Sequence, residues 1–363
     1  MKIVFDNIIY SLQNSGGGSV YWTELIKRFS ADKRLDVVFY EQKEPNYNIF
    51  RRELSLHNVE KETFLSLKIR RYLNFTRPIQ EKSIFHSSYF RISKSKYAIN
   101  VTTIHDFTTE KFRTGLARWV NLQQKKHAVL NSDGIICISE NTKKDLLHFV
   151  PNLDPKKIRV IYNGVSNDFF KINENFEISQ KSPKFEALEN YKYLLYIGHR
   201  TEYKNFPIAV KAAAKVKDKY KLVIIGEPFN DDEKLCVESL LGTEYIQVSR
   251  LNNEDLNFLY NKAFVLLYPS LYEGFGIPLV EAMKTHCPVI ASKNSSIPEV
   301  AGDAAILYNE INENLMAEGI LKLEDELFRR ELIQKGILQF PKFDWDKTYL
   351  KYLEFYKELY DGR

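Results

Sequence analysis

Short runs of uninterrupted apolar residues recur along the chain and alternate with longer stretches of helical period. In the first half these runs are KIVF (2–5), LDVVFY (35–40), SIFH (83–86), AINVTTIH (98–105), GIICIS (134–139) and IRVIY (158–162). In the second half come YLLYIG (193–198), KLVIIG (221–226), FVLLYPS (264–270) and CPVIAS (287–292). Such runs, without strict polar alternation, predict strands buried on both faces of a parallel sheet. Their alternation with helices along two halves predicts two doubly wound α/β domains. Asn205 followed by Pro207 predicts a helix start with Asn205 as N-cap. The polar stretch KINENFEISQKSPKFEALEN (171–190) has no strand pattern and predicts the boundary, which gives domains of residues 1–170 and 171–342. After them, FDWDKTYLKYLEFYKELY (343–360) spaces Trp345, Tyr349, Tyr352 and Tyr356 at near-helical intervals, which predicts an amphipathic terminal helix that docks.

Composition narrows the class. The 363 residues, 44% hydrophobic and 27% charged, suit a soluble globular protein of two domains rather than a disordered chain. No apolar run approaches the ~18 residues that span a bilayer. The start MKIVFDNIIYSLQNSGGG lacks the basic, apolar and small-residue regions of a secretory signal, so a cytoplasmic protein is expected. Cys137, Cys236 and Cys287 are far apart and odd in number, and read as small core residues rather than as a zinc site or a disulfide framework. The net charge of +5 is unevenly placed: residues 51–130 hold sixteen Lys or Arg against six Asp or Glu. That surplus predicts either a solvated surface or attraction to phosphates, whether of an anionic membrane or of a phosphorylated acceptor. Nucleic acid is not expected, because no helix-turn-helix, zinc-finger or RNP-type signature accompanies the charge.

Ligands of open parallel sheets bind beyond the carboxyl ends of the strands, so the residues just after each run are the ones to inspect. PSLYEGFGIPLVEAM (269–283) follows one run and holds Glu273 and Glu281 eight residues apart. A helix starting near Pro278 would leave Gly274, Phe275 and Gly276 as the turn before it, where backbone N–H groups and the helix dipole favour an anion. Two carboxylates around such a turn suit a ligand with hydroxyls as well as phosphates, such as a nucleotide sugar. The plainer alternative is a turn glutamate and a solvated helix glutamate. YIGHRTEYKNF (196–206) places Arg200 and Lys204 after another strand, where two cations could neutralise a departing diphosphate or simply form a surface pair.

EGFGIPLVEAM, followed by CPVIAS and SSIPEVAGDAAILY, resembles the signature of the retaining family 4 glycosyltransferases of the GT-B fold. The resemblance extends through NSGGGSVYW, TIHD, ICISENTKKDL, IRVIYNGV, GHRTEYKNF and LNNEDLNFLYNKA, nearly the whole chain. It implies two Rossmann-like domains facing across a cleft, with the terminal segment 343–363 crossing back to the first. It also implies roles. Glu273 would hold donor-sugar hydroxyls, and the amides of Gly274, Phe275 and Gly276 would contact sugar and diphosphate. Glu281 would bind the ribose, and Arg200 and Lys204 would stabilise the leaving diphosphate. His105, followed by Asp106, would line the sugar site; a structural histidine is the alternative. Gly16, Gly17 and Gly18 would form the loop beside donor phosphate or acceptor.

Two departures stand out. His286 occupies a place where the family usually has a small residue, often glycine, which puts the local packing in question. KLVIIGEPF keeps one glycine where relatives often have two or three.

The reaction implied is hexose transfer from a nucleoside diphosphate with retention, by same-face attack rather than through a carboxylate nucleophile. No Asp-x-Asp stands at a strand end, and the pair at 231–232 falls in an expected surface loop, so no metal and no cofactor beyond the donor is expected. GDP-mannose is the lead donor, on the YKNF form of the cation motif, with UDP and dTDP sugars open. The acceptor would be a glycan or lipid-linked glycan. The mixed run LSLKIRRYLNF (65–75) suggests peripheral contact with the inner face of an anionic membrane. Against a nicotinamide dehydrogenase, NSGGGSVYW lacks the G-x-G-x-x-G spacing. The GFG turn argues against a GT-B nucleotide-sugar epimerase, and the retained cations and His105 argue against a non-catalytic nucleotide-sugar-binding module.

Overall fold

The computed structural model describes residues 1–42, 47–62, 67–173, 188, 191–249 and 251–363. It divides into two compact units, Met1–Gly164 with Trp345–Arg363, and Val165–Asp344. Most of the expected boundary stretch, like residues 65 and 66 of the mixed run, lies outside the described residues.

In the first unit the strands are β1 (Lys2–Asp6), β2 (Asp36–Gln42), β3 (Val59–Glu62), β4 (Ser83–Ser87), β5 (Ala98–Ile104), β6 (Gly134–Cys137) and β7 (Ile158–Val160). Among the described residues they form one sheet in the order β3-β2-β1-β4-β5-β6-β7, and every pairing is parallel. Its centre is apolar on both faces: Ile3, Phe5, Ile84, Phe85, Ile99 and Ile135 are fully buried. The order reverses between β1 and β4, the switch point of a doubly wound sheet.

The helix Trp345–Gly362 belongs to this unit. Trp345, Tyr352 and Tyr356 are buried, and Tyr349 donates its hydroxyl to Asp32 at 2.5 Å. Tyr356 meets His86 Nδ1 at 2.5 Å, and Thr103 meets the other ring nitrogen at 3.0 Å. Tyr352 and Tyr21 share a short hydroxyl contact. The apolar stripe is therefore threaded by hydrogen bonds that fix its register, which burial alone would leave loose.

The second unit repeats the plan. Its strands β8 (Tyr193–Ile197), β9 (Lys221–Ile225), β10 (Tyr245–Val248), β11 (Val265–Tyr268), β12 (Val289–Ser292) and β13 (Ile306–Tyr308) run in the order β10-β9-β8-β11-β12-β13. All pairings are again parallel. The core joins Leu194, Leu222, Ile224, Val265, Leu267 and Ile290 to the helices Phe206–Ala214 and Glu313–Lys322. Here the reversal falls between β8 and β11.

All ten expected strands occur. The sequence reading did not find β3, β10 and β13, each the last strand at one side of its sheet. They are short and partly exposed: β3 and β10 lack the unbroken apolar run that marks a central strand, and β13 is only three residues of the brief run AAILY (304–308). Asn205 starts a helix, but not as a side-chain cap. It lies in the left-handed region (φ 54°, ψ 37°) between a short 3-10 turn, Glu202–Lys204, and the helix Phe206–Ala214, and makes no side-chain cap bond. Asn tolerates that conformation better than most residues. Asp231 and Asp232 are exposed but form the first turn of the helix Asp231–Leu241 rather than a loop. Cys137 and Cys287 are buried as expected, whereas Cys236 is exposed.

Candidate functional site

The two strands flanking the switch point of the second sheet each deliver chemistry from their carboxyl ends. After β8 the chain passes Gly198, in a conformation open to glycine (φ 138°), and reaches Arg200 and Lys204. After β11 it reaches Glu273, then the turn Gly274–Gly276, then the helix Ile277–Lys284 with Pro278 in its first turn. Gly276 has φ 101°, which a side chain would strain. Phe275 is buried against Phe343, ring centroids 5.5 Å apart. Only the backbone of this turn is thus left to meet a ligand.

Lys204 Nζ donates to Glu273 Oε1 at 2.6 Å. The residue expected at the diphosphate and the residue expected at the sugar are therefore in direct contact. Glu273 is held from behind: its N–H donates to Ser295 Oγ at 3.1 Å, and Ser296 Oγ donates to the carbonyls of Glu273 and Phe275 at 3.0 and 2.9 Å. Ser295 takes φ 57° to do this. Both serines belong to the quoted SSIPEV stretch, but nothing in a single sequence shows that they grip a peptide 22 residues upstream.

The Arg200 side chain is largely covered, with 6% of it exposed. Its Nη2 donates to Glu233 at 2.9 Å and to the Pro228 carbonyl at 3.0 Å, and the guanidinium lies 4.8 Å from the Phe229 ring centre. The Arg200 guanidinium holds the Glu233 carboxyl below its usual range. Arg200 Nε and Nη1 are buried without a hydrogen-bond partner among the described residues, an arrangement that is costly unless a ligand supplies the acceptor. A Cβ on Gly226 would come within 3.0 Å of Nη1 and 2.8 Å of the Gly198 carbonyl. The single glycine of KLVIIGEPF is thus the one that this guanidinium needs. Glu233 was missed. Its Asn230-x-x-Glu233 spacing is a capping-box signature, and the box is formed, but its partnership with Arg200 spans 33 residues.

Glu281 lies in the helix Ile277–Lys284 and accepts the Tyr260 hydroxyl at 2.8 Å. It is half-buried, and desolvation pushes its carboxyl up to about 7, against the pull of Tyr260. The Tyr268 hydroxyl, at the end of β11, is raised well above its ordinary value by burial first, then by the Glu273 carboxylate, with Glu281 adding to it. The two glutamates therefore bracket one buried tyrosine.

His286, between this helix and β12, takes φ 62°, the left-handed turn that glycine favours. The packing questioned there is intact: the Cys287 N–H donates to Ala282 O at 2.8 Å and β12 pairs with β11.

In the first unit, His105 follows β5. It is half-buried, edge-on to Tyr21 with centroids 4.5 Å apart, and burial lowers its imidazole to about 4. Asp106 accepts from the Thr108 N–H at 2.9 Å. Gly17 and Gly18, expected in a loop, open the helix Gly17–Ala31; a short helix, Ile9–Leu12, precedes them and Gly16 (φ 153°) joins the two. A Cβ on Gly17 would meet nothing within 4 Å. At the carboxyl ends of β1, β3 and β4 sits a buried ion network that sequence reading did not find. Arg91 bonds Asp6 at 2.9 Å and Glu62 at 2.9 Å, and none of the three side chains is more than 1% exposed. His86 of β4, buried against Trp22 and Tyr356, is lowered to about 3 by burial and then by the neighbouring His105. Among the described residues, no group of three or more His, Cys, Asp or Glu could hold a metal ion, and no helix is long and apolar enough to cross a membrane.

Residues 177–339 match the family model of Glycosyl transferases group 1, and residues 15–169 match that of Glycosyltransferase Family 4. The chain is 28% identical over 278 residues to O-antigen chain mannosyltransferase B of Escherichia coli, covering 71% of this chain and 70% of that one. It is 27% identical over 377 residues to an uncharacterized glycosyltransferase of Methanocaldococcus jannaschii, covering 99% of each. Among solved structures, Anabaena HepE in complex with UDP-glucose superposes with a TM-score of 0.74 over 98% of each chain, at 17% identity, which shows a shared fold.

Proposed function

Because this chain belongs to the glycosyltransferases of group 1 and family 4 and has their GT-B fold, we propose that it moves a hexose from a nucleoside diphosphate to a glycan or lipid-linked glycan in cell-surface polysaccharide assembly. The O-antigen chain mannosyltransferase among its relatives supports mannose as the sugar, and the donor proposed with it is GDP-mannose. The observation that carries the reading is the guanidinium at the switch point: Arg200 Nε and Nη1 are buried donors with no acceptor among the described residues, a few residues from Lys204.

In this proposal the donor diphosphate accepts from Arg200 and Lys204 and from the backbone of Gly274, Phe275 and Gly276. Glu273 takes the sugar hydroxyls and Glu281 the ribose hydroxyls. His105 lines the sugar site, and Gly17 and Gly18 lie beside donor phosphate or acceptor. The acceptor oxygen bonds to the anomeric carbon as the bond from that carbon to phosphate breaks, on the same face, so configuration is retained. The departing phosphate oxygen takes the acceptor proton. Charge stabilisation by the two cations, which holding one transition-state donor suggests is worth about 100-fold or more in rate each, replaces a metal. Before the donor binds, Glu233 and Glu273 neutralise these cations, which avoids burying bare charge.

A thermal-shift panel of GDP, UDP and dTDP and their sugars tests the donor, since a selective ligand raises apparent stability. Selective stabilisation by GDP-mannose, followed by a transferred sugar of unchanged anomeric configuration in product NMR, is expected. Stabilisation by no nucleotide, or an inverted product, would remove the reading.

A further inference from the structure

One polar group beside the two glutamates has no part in the chemistry above. Tyr268 closes β11, is 2% exposed, and its hydroxyl has no hydrogen-bond partner among the described residues. Other buried tyrosines of this unit are satisfied. Tyr193 donates to the Leu259 carbonyl at 2.7 Å, Tyr196 to the His199 carbonyl at 3.2 Å and Tyr260 to Glu281 at 2.8 Å. A buried hydroxyl without an acceptor costs stability that a phenyl ring in its place would not.

The surroundings of Tyr268 give it a use. Its hydroxyl lies beneath the glycine turn, where a Cβ on Gly276 would stand 3.8 Å from it. After burial, the Glu273 carboxylate is what raises this hydroxyl most. The Lys204 ammonium is 5.7 Å from the centre of the same ring and donates to Glu273 Oε1 at 2.6 Å. Tyrosine, lysine and glutamate thus meet at one point, and the lysine alone serves the glutamate. A diphosphate that accepts from Lys204 changes this. The ammonium turns to the phosphate, and Glu273, 9% exposed, loses its cation. A carboxylate so covered needs another donor, and the Tyr268 hydroxyl is beside it.

We propose, on the reading that the donor diphosphate takes Lys204, that Tyr268 is a positioning residue whose hydroxyl donates to Glu273 once the lysine has turned away. The carboxylate then keeps one charge-assisted hydrogen bond and a fixed orientation, with its other oxygen left for the sugar hydroxyls. The same hydroxyl destabilises the ligand-free protein and stabilises the donor complex.

Removing that oxygen therefore has opposite effects in the two states. Tyr268→Phe should raise the thermal midpoint of the ligand-free protein and weaken the binding of GDP-mannose, read by calorimetry, about tenfold. A purely structural tyrosine would move the first and leave the second alone. The other arm needs no ligand. Lys204→Met leaves Glu273 without its cation from the start, so the hydroxyl is already in use. In that background Tyr268→Phe should lower the midpoint instead of raising it. Any other pattern of signs in the two backgrounds would overturn the proposal, and so would parental affinity for GDP-mannose in Tyr268→Phe. A parent that does not bind GDP-mannose would refute the donor assignment instead, and the signs of the midpoint changes would still decide the role of Tyr268.

Discussion

Glu281 offers a prediction with two independent readouts. Its carboxyl is raised to about 7 by desolvation, against about 4.5 in an unfolded chain. Folding therefore favours the protonated acid, and the stabilisation is complete below pH 4.5 and is lost as pH rises toward 7. That rise from about 4.5 to about 7 corresponds to about 3 kcal/mol at most, since the half-buried side chain is partly screened by solvent. Glu281→Gln mimics the protonated form and should remove that slope, so the variant becomes more stable than the parent above pH 7.

A bound ribose, donating hydroxyls, favours the ionised form instead. Between pH 8 and pH 6 the ionised fraction falls about tenfold, so affinity for a nucleotide sugar should weaken by about tenfold over that range. Binding near pH 7 should release about half a proton, measurable by calorimetry in buffers of different ionisation enthalpy. The difference between parent and Glu281→Gln isolates this group from any titration of the ligand. Equal pH slopes in the two proteins, with no proton released, would refute the ribose assignment.

Other expectations follow from the same contacts. Arg200→Ala should lower kcat by about 100-fold or more with stability little changed; near-parental turnover would remove it from the chemistry. Gly226→Val, which crowds Arg200 Nη1 and the Gly198 carbonyl, should reproduce most of that loss without touching a charge. Glu233→Gln should lower kcat, whereas Asn230→Ala, which breaks the same capping box but leaves Arg200 its carboxylate partner, should cost about 1 kcal/mol of stability with kcat preserved; equal kcat losses would reduce Glu233 to a cap. Arg91→Leu leaves Asp6 and Glu62 buried without their cation and should cost about 3–5 kcal/mol, read as a fall in the denaturant midpoint.

The central strands, the two-unit plan and the positions of Arg200, Lys204, Glu273 and Glu281 after the switch-point strands were legible in the sequence. A buried parallel strand and a glycine turn write themselves locally, as apolar runs and as residue types. What escaped was long-range pairing. Lys204 with Glu273, Glu233 with Arg200, Ser295 with Glu273, and His86 between Thr103 and Tyr356 each join residues that only folding brings together. Asn205 and His286 show a subtler limit: the sequence marks a turn, but not which backbone conformation the turn takes. The mixed run at 65–75 was legible as unusual, yet only its packing beside the helix Gly115–Leu130 shows which of its residues face out.

The central claim is that the second unit binds a nucleotide sugar at the ends of β8 and β11, and a crystal structure with that donor tests it most directly. The account predicts diphosphate oxygens within hydrogen-bond reach of Arg200 Nε or Nη1 and of Lys204, with the ribose hydroxyls on Glu281 and the hexose on Glu273. A donor bound with its diphosphate away from Arg200 and Lys204 would contradict it.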